Sequence, residues 1–175
     1  MTGLILPFRD KSPEIDDTAF VAQTATIIGD VIIGEESSIW YGVTIRGDVN
    51  EMRIGKRSNV QDGTVIHEAT NTFGTYIGDD VTVAHMVLLH ACTLEDNCFI
   101  GMSATVMDGV VVEKGAMVAA GALVTPGKVV KSGQLWAGTP ARHIRDISEV
   151  EIEMMNIIGP RYVGLGQEYL AATKV

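Results

Sequence analysis

The segment 94–136 reads LEDNCFIGMSATVMDGVVVEKGAMVAAGALVTPGKVVKSGQLW, and a large apolar residue recurs in it at every sixth position. The residues with this spacing are Leu94, Ile100, Val106, Val112, Val118, Val124, Val130 and Trp136. A six-residue period fits neither an amphipathic helix nor a simple array of hairpins. It is typical of a parallel β-helix, in which each hexad forms one short strand and a corner. Three such hexads close one triangular coil.

The same period extends towards the N-terminus with three departures. It runs unbroken from Ile15 to Ile45, resumes at Ile54 after nine residues and at Ile77 after eleven, and reaches Leu94 through a five-residue step. The chain is therefore predicted to be all-β, with a parallel β-helix of six to seven coils over residues 1–140. The coils would stack about 4.8 Å apart through backbone hydrogen bonds. We expect the two long steps to be loops that bulge from corners.

The repeat does not continue to the C-terminus. Residues 141–175 are predicted to form an exit peptide and a C-terminal α-helical segment of the same domain, packed alongside the coils. Ser148 and Glu151 have the spacing of a capping box, which indicates a helix start. Pro160 predicts a break and a second helix after it. The apolar residues expected to pack against the coils are Val150, Met154, Ile157, Ile158, Tyr162, Leu165 and Tyr169.

Length, charge and cysteine content narrow the class of protein. A chain of 175 residues is long enough for one domain with a sizeable core. The net charge of −9 argues against nucleic acid or an anionic membrane as a partner. No apolar run approaches a membrane span, and we expect no signal peptide. Two cysteines do not make a disulfide framework, so we predict a reducing, cytoplasmic location.

Two of the four histidines fall in register. His67 follows Ile66 and His90 follows Leu89, and these aliphatic positions are one coil apart. The two histidines should therefore stack on the outside of one face, about 4.8 Å apart at the backbone. Two imidazole nitrogens at this spacing can converge on one metal ion, with metal–nitrogen bonds of about 2.1 Å.

A third histidine lies on a different face. His85 comes two residues after Val83, and outward side chains on two faces of a triangle diverge. One chain should therefore not bring all three histidines together, and a neighbouring subunit would supply the third. The register predicts a metal shared across a subunit interface, which a three-fold assembly would repeat three times.

Other polar residues share these columns. Arg46 stacks with His67 and His90, and Asp62 stacks with His85, with Gln61 beside it. If the two faces meet between subunits, Arg46 and Asp62 could form an ion pair there. Gln61 would then lie near the metal and could hydrogen-bond a bound water.

Three segments resemble one family. They are IRGD (45–48), NVQDGTVIHE (59–68) and VTVAHMVLLHAC (81–92), and they are similar to the motifs of γ-class carbonic anhydrases, members of the hexapeptide-repeat superfamily. The resemblance implies a left-handed β-helix, a homotrimer, and Zn²⁺ (Fe²⁺ or Co²⁺ in place of it) as cofactor. The residues that it assigns are His67, His85 and His90 to the metal, and Arg46, Asp48, Gln61, Asp62 and, from the C-terminal helix, Tyr162 to the catalytic site.

The resemblance implies reversible hydration of carbon dioxide to bicarbonate, as a zinc-dependent carbonate dehydratase. Three neutral nitrogen ligands leave a fourth position on the metal, where water has a pKa of about 7. Fast enzymes of this class carry an acidic loop that exports protons. Here the loop after His67 has Glu68 as its one carboxylate, and Glu51 is an unmatched substitute. We therefore expect slow turnover.

Two alternatives use the same cleft between subunits. One is a hexapeptide-repeat acyltransferase or a thioesterase on a coenzyme A ester, and the other is a non-catalytic metal-binding member of the family. Acyltransferases with this fold typically use a histidine base without a metal, so three convergent histidines disfavour them. Loss of activity with a chelator would discriminate between a metal enzyme and a transferase.

Overall fold

The computed structural model describes residues 3–172, which form a stack of short parallel strands with one helix along its side. This confirms the predicted all-β fold with a C-terminal helix. The strands are β1 (Leu4–Leu6), β2 (Glu14–Ile15), β3 (Phe20–Val21), β4 (Thr26–Ile33), β5 (Ser38–Ile39), β6 (Thr44–Ile54), β7 (Asn59–Val60), β8 (Val65–His67), β9 (Thr75–Ile77), β10 (Thr82–Val83), β11 (Leu88–His90), β12 (Thr93–Leu94), β13 (Phe99–Ile100), β14 (Thr105–Val106), β15 (Val111–Val112), β16 (Met117–Val118), β17 (Leu123–Val124), β18 (Val129–Val130), β19 (Gln134–Gly138) and β20 (Ala141–Asp146). The helix is α1 (Glu149–Ala172).

The strands line three faces of a prism. The first face is β3, β5, β7, β10, β13, β16 and β19. The second face is β1, the first halves of β4 and β6, and then β8, β11, β14 and β17. The third face is β2, the second halves of β4 and β6, and then β9, β12, β15 and β18. Each face thus has one strand per coil, and the stack has about seven coils. This agrees with the predicted six to seven.

The hexad residues fill the interior of the prism. Ile27, Ile45, Ile66 and Leu89 lie one above another in the second face and are at most 1% exposed. All residues that keep the six-residue period are buried except Ile15 and Trp136, which are partly buried and pack against the two ends of the core. Burying one such side chain contributes roughly 1.5–3 kcal/mol. The register derived from the sequence is therefore the register of the fold.

The corners need a left-handed backbone conformation. Gly109, Gly115, Gly121 and Gly127 recur every six residues with φ between 66° and 70°. A Cβ at Gly115 or Gly121 would meet no atom within 4 Å, so glycine is favoured there by the backbone angle and not by lack of space.

One of the two long steps differs from the prediction. The nine-residue step is not the expected loop, because it lies inside β6, which continues around a corner and pairs with β4 on both sides of it. A register shift between Gly29 and Val31 absorbs the difference in length. The extra residues have no strand partner, and the amides of Val49 and Asn50 among them donate to a Glu68 carboxylate oxygen at 2.9 and 3.0 Å. The eleven-residue step does form the predicted loop, over residues 68–74 between β8 and β9.

The C-terminal helix is continuous, so the predicted break at Pro160 is wrong. Proline removes one backbone donor from the helix, and packing against the coils offsets this cost. A Cβ on Gly166 would lie 3.3 Å from the Cβ of Phe20, so the helix backbone contacts the first face directly. Trp40 packs edge-on against Tyr162, with 5.4 Å between the ring centroids.

Two predictions about the helix have different outcomes: the start of the helix is as predicted, but two residues expected to contact the coils are exposed. The capping box is confirmed, because Ser148 Oγ lies 2.7 Å from a Glu151 carboxylate oxygen that also accepts the Ser148 amide at 2.8 Å. Arg145 pairs with the same carboxylate at 2.7 Å. Val150 and Ile157, expected to pack on the coils, are 75% and 58% exposed. They lie on the outer side of the helix, away from the side that contacts the prism.

The exit peptide covers the end of the first face. β20 runs antiparallel to β19, the last strand of the first face, with a register shift between Leu135 and Trp136. Its side chains are exposed after Ala141, and most of them are polar or charged.

Candidate metal site

His67 and His90 face each other on neighbouring coils, as the register predicts. They are paired across β8 and β11, and their ring centroids are 5.2 Å apart. His67 Nδ1 lies 3.2 Å from His90 Nε2. The other nitrogen of each ring points to a carboxylate: His67 Nε2 is 3.2 Å from Asp48 Oδ1, and His90 Nδ1 is 3.1 Å from Asp108 Oδ1.

These contacts are compatible with one arrangement of the ring protons that would suit a metal ion. A neutral imidazole carries one N–H, and a carboxylate accepts it. When both rings are neutral and donate their N–H groups to Asp48 and Asp108, the two nitrogens that face each other are both acceptors. Two lone pairs 3.2 Å apart repel unless a cation lies between them. The donor set of this pair therefore fits a cation.

The spacing of the two bare nitrogens also fits a metal ion. Two metal–nitrogen bonds of about 2.0–2.1 Å at a tetrahedral angle span about 3.4 Å between nitrogens. The observed separation of His67 Nδ1 and His90 Nε2 is 3.2 Å. The pair thus has nearly the geometry of one edge of a tetrahedral site. Imidazole nitrogens suit zinc, iron and related transition metals.

His85 belongs to a second, separate group. Val83 lies over Val60, which stacks His85 on Asp62 as the sequence predicts, with His85 Nδ1 2.9 Å from Asp62 Oδ2. The His85 side chain is 38% exposed, and its Nε2 is left for another ligand. Among residues 3–172, the chain does not gather the three histidines into one cluster of metal-ligand spacing.

A different cluster is formed by Asp48, His67 and Glu68, whose ligand atoms lie within 4.8 Å of one another. Both carboxylates are already engaged. Arg46 donates to Asp48 at 2.6 Å, and one Glu68 oxygen accepts two backbone amides of β6 at 2.9 and 3.0 Å. The Arg46 guanidinium would also repel a cation held by Asp48. We therefore regard Asp48 as a partner of His67 and Glu68 as an acceptor for the amides of β6.

The protonation of Asp48 agrees with this role. Burial alone would raise the pKa of Asp48, but hydrogen bonds from Arg46 and His67 outweigh burial and lower the pKa below its ordinary value. Asp48 is thus a stable anion beside His67. Within one chain Arg46 pairs with Asp48, and the ion pair from Arg46 to Asp62 between subunits stays a prediction.

The other predicted residues lie around His85. Gln61 is buried, and its amide donates to Asn59 Oδ1 at 2.9 Å, which orients the side chain next to Asp62. Burial raises the pKa of Tyr162, and the charge of Asp62 raises it further, so this tyrosine lies within electrostatic reach of the Asp62–His85 pair. Tyr41, which the sequence did not single out, lies one coil below Asp62; burial raises the pKa of Tyr41, and Tyr169 and the charge of Asp62 raise it further.

The two candidate proton acceptors are each restrained, Glu51 by two hydrogen bonds although its side chain is 43% exposed, and Glu68 by burial. Glu51 lies on the third face, where Arg53 and the Tyr76 hydroxyl each donate to it at 2.8 Å. Glu68 is 1% exposed, and its second carboxylate oxygen is the one buried side-chain polar atom without a hydrogen-bond partner in the described part of the chain.

Comparison with known proteins identifies the family. The family model described as a hexapeptide repeat of succinyl-transferase matches residues 92–126. The chain is 46% identical to a protein of Geobacillus kaustophilus named carbonic anhydrase, over 96% of this chain and 92% of that protein. The chain belongs to the gamma carbonic anhydrase family. It is also 50% identical to the mitochondrial gamma carbonic anhydrase 2 of Arabidopsis thaliana over 90% of its length, but it spans only 59% of that plant protein.

Not every relative of this gamma carbonic anhydrase family member has a hydratase name. A solved structure of a protein named hexapeptide transferase family protein, from Anaplasma phagocytophilum, is 48% identical and superimposes with a TM-score of 0.91, covering 95% of this chain and 98% of that one. The fold is thus shared by proteins named for two different reactions. Residues 3–172 contain no helix that could span a membrane.

Proposed function

We propose that the protein is a metal-dependent carbonic anhydrase whose ion is held between two subunits. His67 and His90 of one subunit would bind it together with His85 of the partner subunit. The observation that carries the proposal is the distance of 3.2 Å between His67 Nδ1 and His90 Nε2, with the other nitrogen of each ring within hydrogen-bond distance of a carboxylate. The family supports the reaction, because the bacterial relative with nearly the same length is named carbonic anhydrase.

The surroundings of the histidines support a shared site. Val65 and Leu88 precede His67 and His90 on the same strands and are 42% and 40% exposed, and Met86 beside His85 is 66% exposed. Exposed apolar side chains next to an incomplete site are what a subunit interface would cover. A homotrimer with three such interfaces is the assembly that we propose.

The residues of the chain would divide the work as follows. When bound, zinc, iron or cobalt would lower the pKa of a water molecule and so supply a nucleophile for carbon dioxide at neutral pH. Asp48 and Asp62 would hold His67 and His85 in the tautomers that leave a bare nitrogen. Gln61 would orient the reacting water by hydrogen bonding. Arg46, 44% exposed and cationic, would stabilise the bicarbonate anion.

We also propose that turnover is slow. Hydration of carbon dioxide releases a proton that must leave the site. Glu51 is exposed but held by Arg53 and Tyr76, and Glu68 is buried, so we propose that neither carboxylate moves protons efficiently from the site to solvent. A cytoplasmic location stays a prediction that rests on the two unpaired, buried cysteines.

The test is a carbon dioxide hydration assay on protein whose metal content has been measured, purified without oxygen so that iron is retained. We expect a rate above that of the buffer, loss of that rate with a chelator, and loss of metal in His67→Ala. His143→Ala is the matched control, because His143 lies on β20, away from the paired histidines of β8 and β11. No rate above buffer from metal-loaded protein would refute the carbonic anhydrase proposal.

A transferase is the second candidate, favoured by the name of the Anaplasma protein. A coenzyme A ester should then be consumed at a rate that does not change when the metal is removed. If metal binds but neither reaction is detected, the third interpretation, a non-catalytic metal-binding member of the family, is favoured.

A further inference from the structure

We propose that Asp108 is a positioning residue for the metal, because it fixes the His90 ring so that Nε2 is the bare nitrogen facing His67. This inference rests on the proposed function, since it concerns the same ion. None of the three motifs that resemble the family contains Asp108. Its Oδ1 accepts the hydrogen bond from His90 Nδ1 at 3.1 Å.

Asp108 and Asp48 enclose the histidine pair from two sides. Asp48 belongs to β6, in the coil before His67. Asp108 follows β14, whose Val106 lies over Leu89, so it reaches His90 from the coil after. The four side chains thus form a continuous row, carboxylate, imidazole, imidazole, carboxylate, over four successive levels of the prism.

Without Asp108, the two histidines could form a hydrogen bond with each other. His90 could then carry its N–H on Nε2 and donate it to His67 Nδ1, which is already 3.2 Å away. This histidine–histidine hydrogen bond would occupy the position that the metal needs. Asp108 prevents it by taking the N–H on the opposite side of the ring, so that both facing nitrogens stay available to a cation. Outer carboxylates of this kind typically change metal affinity 10–100-fold.

The contacts of Asp108 favour this role over a purely structural one. Asp48 also accepts from Arg46, which holds it in place without a histidine. In the described part of the chain, the Asp108 side chain has His90 as its ion-pair partner and no cationic residue besides it. The Asp108 side chain is 35% exposed, and its backbone hydrogen bond to Gly127 survives any substitution. Its carboxylate therefore serves His90 alone.

The test compares Asp108→Asn and Asp108→Ala with Asp17→Asn, which removes the same charge from an exposed turn before β3. Zinc affinity is measured by competition with a chelator, and thermal unfolding of the metal-free proteins serves as the structural control. We expect zinc affinity about 10–100-fold weaker in Asp108→Ala, a smaller loss in Asp108→Asn because its amide oxygen can still accept from His90 Nδ1, and no change in Asp17→Asn, with equal unfolding temperatures. Equal zinc affinities in all three proteins would overturn the proposal.

A second measurement separates this inference from the proposed function. Nitrogen-15 chemical shifts of metal-free protein report which nitrogen of His90 carries the proton. We expect Nδ1–H in the wild type and a mixture of tautomers in Asp108→Ala. If the wild type binds no zinc but shows this change, the proposed function fails and the role of Asp108 in orienting His90 stands. If zinc binds tightly to the wild type and Asp108→Ala does not change the tautomer, the role of Asp108 is refuted and the metal site stands.

Discussion

Mixing two inactive variants tests whether the metal is shared between subunits. His85→Ala removes the single histidine that one subunit would offer, and His90→Ala removes half of the pair that its neighbour would offer. Each variant alone should lose its metal, because every interface lacks a ligand. When both chains are co-expressed in equal amounts, some interfaces combine an intact pair from one chain with an intact His85 from the other.

The expected recovery follows from the separation of the two groups on the prism. An interface is complete when two conditions hold. The chain that gives the pair must still have His90, and the chain that gives the third ligand must still have His85. In an equal mixture each condition holds with a probability of one half. Their product is about a quarter of the wild-type metal content, for a dimer as well as for a trimer of symmetric interfaces. Hydration activity should recover in the same proportion.

The refuting result is equally definite. If all three histidines acted within one chain, no mixture could restore a site, and metal content would stay at the level of the single variants. A control mixture of His85→Ala with His85→Ala,His90→Ala should recover nothing under the shared-site model, because neither chain carries His85. Metal analysis on the mixed and control samples, at equal protein concentration, decides the question.

Three further predictions concern the rest of the fold. Glu68→Ala leaves two backbone amides of β6 without an acceptor and should lower the free energy of unfolding by ~1–3 kcal/mol in urea denaturation, whereas Glu68→Gln keeps an acceptor oxygen and should lose less. Hydrogen bonds from Arg145 and from the helix cap hold the pKa of Glu151 at about 2, below its usual 4.5. The ionised carboxylate therefore stabilises the fold above about pH 4.5, and this stabilisation is lost as the pH falls towards 2. The difference in the free energy of unfolding between wild type and Glu151→Gln should shrink over that window. Burial raises the pKa of Cys92 to about 12 and also raises that of Cys98, so both thiols should react with a colorimetric thiol reagent only after denaturation, and rapid reaction of native protein would contradict their burial.

Much of the site could be predicted because a solenoid turns sequence position into spatial position. Once Ile66 and Leu89 are known to lie one coil apart, the stacking of His67 on His90 follows without further information. The same reasoning places Asp62 beside His85. In most folds such contacts depend on packing between distant elements, whereas here they depend on counting along one chain.

The failures have equally specific causes. Asp108 comes two residues after Val106, whereas His90 comes one residue after Leu89, so the histidine column itself continues at Met107 and misses the carboxylate. Considering the position next to that column in the following coil would have found it. The break at Pro160 is predicted from local propensity, which takes no account of the contact between α1 and the first face. Propensity is a weak guide where packing decides.

The antiparallel strand β20 affects whether a second molecule can stack on the end of the first. Nothing in a stack of identical coils limits the number of coils, because the last rung presents the same unpaired amides and carbonyls as every rung below it. A second molecule could therefore pair with the last rung and continue the stack as a filament. β20 reverses direction on β19 and turns mostly polar and charged side chains outward, so no parallel rung can follow it on that face. We expect that removing β20 would expose the last rung of the first face and favour end-to-end association, which β20 hinders on that face in the native protein.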